Sequence, residues 1–148
     1  MGSRSDVVYV NLPGVAVVTW DATLRAVHIE AQGWANTTEG RAVLDAAIRA
    51  LTEHNGSRFL YDGLNMKVIK QEDQDWIAQD WMPRALAAGL RHTAMVVPKS
   101  GLAMMNVDDI AASVPDNESD VRYFSSVAKA RQWLAGSPAI SGRQESSG

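Results

Sequence analysis

From residue 36 to residue 134 the chain alternates helical periodicity with short β-branched or aromatic runs, and this alternation restricts the fold more than any other feature. Val43, Leu44, Ala47, Ile48 and Leu51 recur at helical spacing and make one apolar face. Asn36 and Glu39 have capping-box spacing at its start, and Asn55-Gly56 supplies a stop, with Gly56 suited to the left-handed cap. Phe59-Leu60-Tyr61 then reads as a buried strand ending at Asp62-Gly63. Glu72, Asp73 and Asp75 crowd the start of a second helix, where the positive end of the dipole favours acids; it runs to about Gly89, with a kink or restart at Pro83. Residues 93–97 form another strand, 104–112 a weaker helix, 121–124 a last strand, and Val127, Ala130, Trp133 and Leu134 the inner face of a final helix capped by Ser125 or Ser126. Before this repeat, residues 7–10, 15–20 and 24–31 read as a β-hairpin or short meander. Strands alternating with helices imply a partly parallel sheet covered by helices.

The 148 residues suit one domain over residues 6–136, with a flexible start at 1–5 and a Ser/Gly-rich disordered tail at 137–148. A net charge of −3 and the absence of any Lys/Arg cluster argue against nucleic-acid binding. The chain has no cysteine, which rules out disulfides, a thiolate nucleophile and cysteine-ligated zinc, and suits a reducing cytoplasm. The first residues carry no apolar signal region, and Asp6 stands where a myristoylation motif needs Ser or Thr. No apolar run approaches the roughly 20 residues of a membrane span. A cytoplasmic protein is expected, in which the sequons at Asn36, Asn55 and Asn117 are chance occurrences.

No phosphate-binding glycine loop or nucleophile elbow is present, and His28, His54 and His92 share no ligand spacing. Neither a cofactor nor a metal is expected. Asp62 stands at a strand's carboxyl end, where open α/β sheets bind ligands, but Asp62-Gly63-Leu64-Asn65 supplies only one acid. Asp62 and Asn65 therefore also fit a tight turn in which they satisfy backbone donors. Trp76 and Trp81, five apart, fall roughly 140° from each other around an α-helix and cannot share one stripe. Ile77, Trp81, Ala85 and Ala88 form one arc, and Trp76, Pro83, Ala87 and Leu90 a second. Asp80 and Arg84 lie between them as an i,i+4 pair of helpful sign. The second arc packs either on a neighbouring helix or on a partner, since Trp and Arg are enriched at interfaces.

The stretches Leu60-Tyr61-Asp62-Gly63-Leu64-Asn65-Met66, Gln71-Glu72-Asp73-Gln74-Asp75-Trp76, Trp81-Met82-Pro83-Arg84, Ala88-Gly89-Leu90-Arg91 and Val96-Val97-Pro98-Lys99-Ser100 resemble bacterial STAS-like proteins (sulfate transporter and anti-sigma-factor antagonist), a branch similar to CRAL-TRIO lipid-transfer domains. Tyr123-Phe124-Ser125 and Ala130-Arg131-Gln132-Trp133-Leu134 fit the same pattern. The resemblance implies a single α/β domain with a mixed sheet of four to six strands, about four helices, and a role in binding rather than catalysis. Phospho-regulated relatives carry Ser or Thr directly after the aspartate that ends a central strand; here that place is Gly63, which has no hydroxyl. The leading expectation is a non-enzymatic module that binds a protein partner or a second copy through Asp62, Asn65, Met66, Trp76, Trp81 and Arg84. The alternative is a small-molecule or lipid-binding domain, with an apolar pocket between the sheet and helix 72–89 lined by Met66, Trp81, Met104 and Met105. An enzyme would need Asp62 and His92 brought together by folding.

Overall fold

A computed structural model describes residues 6–32, 37–65, 71–98 and 120–136. Its elements are β1 (Val7–Leu12), β2 (Ala16–Asp21), β3 (Ala26–Ala31), α1 (Thr37–Glu53), β4 (Arg58–Asp62), α2 (Gln71–Trp76), a π-helical turn (Ile77–Trp81), α3 (Met82–Ala87), β5 (His92–Val96), β6 (Asp120–Phe124) and α4 (Val127–Ala135). The six strands form one mixed sheet whose spatial order is their chain order. β1, β2 and β3 pair antiparallel, with a bulge between Val8 and Val10, and β3 to β6 pair parallel. The expected helix at 104–112, the tail at 137–148 and the Asn36 cap lie outside the described residues.

Strand alternation gives the sheet two faces. Val18, Trp20, Val27, Ile29 and Phe59 enter the larger core with Val43, Leu44, Ala47 and Leu51 of α1, Trp81 and Ala85 of the second helical segment, and Leu90 just beyond it. Leu60, Ala94 and Val96 point the other way and pack with Ala130 and Leu134 of α4. α1 meets β1 to β3 on the first face, whereas α4 meets β4 to β6 on the second.

Residues 71–87 form one helical rod interrupted by the π turn, where Met82 N–H bonds the carbonyl of Ile77. Pro83 follows immediately, at the start of α3, where its missing donor would otherwise break the ladder. The wider turn overturns the expectation for the two tryptophans. Because π bonds link residues five apart, Trp76 and Trp81 fall close to one turn apart. Trp81 is buried in the larger core and Trp76 packs against its margin.

α1 ends differently from the sequence expectation. The left-handed residue is Asn55 (φ 53°), with Gly56 N–H bonding Leu51 O at 2.9 Å and Asn55 N–H bonding Thr52 O at 3.2 Å. This is a Schellman closure in which Gly56 takes the position after the left-handed residue. Gly56 is required for another reason: a β-carbon there would lie 2.8 Å from the Trp20 ring.

Candidate functional site

Where the two helical segments of the first face meet, two guanidiniums lie over the ring of Trp76. The Arg41 carbon lies 4.8 Å from the ring centroid and the Arg84 carbon 5.6 Å from it. Both distances suit cation–π contact. Arg84 also joins α1 to the rod, with Nη2 donating to Asp45 Oδ1 at 2.9 Å and to Asp80 Oδ2 at 2.8 Å. These bonds, led by the one to Asp45, hold the guanidinium's pKa above its usual value. The triad is solvent-exposed, so each ion pair contributes only about 0.2–1 kcal/mol. Arg41 pairs with Asp73 at 3.3 Å, and the Asp73 side chain is fully buried. Asp73 thus does more than serve the helix dipole: its carboxylate anchors the first turn of α2 to α1. The sequence offered no periodic signal for Arg41, which sits on a polar flank of α1.

Trp81 is fixed from within. Its indole N–H donates to Leu44 O at 2.8 Å, and its ring lies 5.6 Å from that of Phe59. Trp81 is thus part of the core, and the other three residues expected to line a pocket beside it, Met66, Met104 and Met105, lie outside the described residues. An apolar recess exists elsewhere, between the carboxyl ends of β3 and β4 and the start of α1, lined by Ile29, Gly40, Val43, Leu44 and Tyr61 among others. Burial raises the Tyr61 hydroxyl to about 12, in keeping with a ring turned into packing.

Asp62 and Asn65 stand apart from this group. Asp62 ends β4 on the second face, where Oδ1 accepts the N–H of Leu64 at 3.2 Å. Asn65 is exposed in the turn that follows. Gly63 is buried there, its N–H bonded to Val96 O at 2.8 Å. The sequence-derived residues therefore divide between two sides of the sheet.

The Asp62 and His92 pairing does not form. Arg58 lies opposite His92 and Asp62 opposite Val96, so the two residues sit at opposite ends of adjacent strands, about 13 Å apart along the sheet. Asp62 instead acts electrostatically on His28, a neighbour that only the parallel register of β3 and β4 reveals. Burial holds the His28 pKa below its usual value despite Asp62, and its enclosed Nε2 has no hydrogen-bond partner among the described residues. His92 is likewise depressed by burial; Asp120 Oδ2 lies 3.5 Å from Nδ1 without hydrogen-bond geometry. Asp21 is pushed up by burial, but bonds from Leu24 N–H and Arg131 outweigh this and hold its carboxyl below the usual range.

Among the described residues no group of three or more His, Asp or Glu side chains could hold a metal ion, and no helix is long and apolar enough to cross a membrane. Comparison with protein-family models, curated proteins and solved structures returned no match.

Proposed function

We propose that this chain is a non-enzymatic, STAS-like binding module that works by protein–protein association and lacks a serine phospho-switch. The observation that carries the reading is the Arg41, Trp76 and Arg84 cluster. It combines a half-buried indole with two guanidiniums, the residue types enriched where proteins dock. Bonds to both helices hold Arg84 in place before any partner arrives, which limits the ordering cost of association. Gly63 offers no phosphate acceptor at the end of β4.

Affinity capture with the wild-type chain and with Gln79→Arg or Ala87→Arg, both exposed positions on the rod, tests the reading. Proteins held by the wild type should be lost from both variants while their melting temperatures stay unchanged. An identical captured set, or stoichiometric small-molecule mass on the purified chain in native mass spectrometry, would overturn it.

A further inference from the structure

The second face of the sheet has the shape of a step. α4 stands on β4 to β6 as a ridge, and β1 to β3 form a lower shelf beside it with no described helix of their own. The register places Val8, Asn11, Val17, Thr19 and Glu30 on that shelf, with the enclosed His28 at its inner margin. Val8 is 61% exposed, the most exposed of the large apolar residues described. Three strands about 4.8 Å apart give a shelf about as wide as one helix with its side chains. A nine-residue helix is about 13 Å long, which fits within six-residue strands of about 20 Å.

Charge matches shape. Glu30 and Asp62 lie directly opposite each other across β3 and β4, an unfavourable placement of like charges, and no cation pairs with either among the described residues. α4 carries Lys129 and Arg131 and no acid. Arg131 bonds Asp21 at 2.8 Å, whereas Lys129 is exposed and has no ion-pair partner among the described residues. The outward stripe of α4 is Ala128, Gln132 and Ala135, slim enough for close approach to a sheet.

We infer that the chain associates with a second copy of itself across this face, the ridge of each copy seated on the shelf of the other. A two-fold axis parallel to the strands, between β3 and β4, achieves this. It keeps carboxyl ends level with carboxyl ends, so Lys129 near the start of one α4 meets Glu30 near the end of the other β3. The interface is isologous and closes at two copies. It rests on the proposal that the chain works by association, and it uses the opposite side of the sheet from Trp76 and Arg84, leaving that cluster free.

Sedimentation velocity at low ionic strength tests it with the full chain, Lys129→Glu, Glu30→Lys and the combined charge swap. The wild type should show a concentration-dependent dimer. Each single reversal should raise the dimer Kd about tenfold or more, and the swap should recover most of the loss. Circular dichroism melts should show no loss of stability in either variant, since both positions are exposed and each reversal removes an unfavourable local charge placement. A wild type that stays monomeric, or a dimer indifferent to both reversals, overturns the inference. If the monomer still captures a protein partner through the Arg84 side, the functional proposal stands without the dimer. A dimer lost on reversal at residue 30 or 129, with no protein captured, leaves the dimer and removes the other.

Discussion

The imidazole of His54 lies flat on the indole of Trp20, with ring centroids 4.4 Å apart and planes within 2° of parallel. Arg25 covers the Trp20 ring at 5.4 Å, and Tyr9 meets His54 edge-on at 6.1 Å. The hydroxyl of Tyr9 donates to Glu53 at 2.7 Å. Burial and this carboxylate raise the Tyr9 hydroxyl to about 12. The stack locks the end of α1 to the β2–β3 turn, and Gly56 lies close against the Trp20 ring with no side chain between them.

Gly56→Ala therefore destabilises the protein. The added methyl would lie 2.8 and 2.9 Å from two carbons of the buried Trp20 ring, and overpacking of this kind costs about 1–3 kcal/mol. Asn55→Gly, at the left-handed position, should cost little or nothing. Urea unfolding midpoints check both, and an unchanged midpoint for Gly56→Ala would show that the stack yields freely.

Asp73→Asn removes the charge that faces Arg41 while keeping the shape. The carboxylate is fully buried but Arg41 remains about a third exposed, so the freed guanidinium can still reach water. The expected loss is about 1–3 kcal/mol, below that of a fully enclosed pair. Trp76 fluorescence should also shift, because Arg41 loses the anchor that holds it over the ring. Arg41→Gln made in the Asp73→Asn background should cost much less than Arg41→Gln alone.

Stability should fall on mild acidification. Burial depresses both His28 and His92 in the folded state, so near pH 6.5 the unfolded chain binds more protons than the folded one. The contribution of the neutral rings is complete above that pH and is lost as pH drops below it. Asp21, depressed when folded, adds a second loss at lower pH, as the medium falls below its unfolded value near 4. Urea midpoints at pH 7.5 and 5.5 measure the first effect, and His28→Gln or His92→Gln should flatten it.

Six strands were legible because each is a short β-branched or aromatic run bounded by turn residues, and α1 because its apolar positions recur at 3.6-residue spacing. The placement of Trp76 was not, since an α-helical wheel assumes uniform winding and the π turn before Pro83 breaks that assumption. The role of Gly56 was not legible either: the left-handed angle for which a glycine is suited belongs to Asn55, and only the fold brings Trp20 beside Gly56. The neighbourhood of Asp62 depends on which residue of β3 lies opposite it. That is a fact of strand register and is invisible along a single chain.

Because the strands stand in space in the order in which they are linked, no strand must be slipped between two already paired. During synthesis each new strand finds its docking edge on the strand made just before it. The sheet can therefore be built outward from the β1–β2–β3 meander as the chain leaves the ribosome, with tight turns to close inside the meander and one crossover to close for each parallel strand added after it.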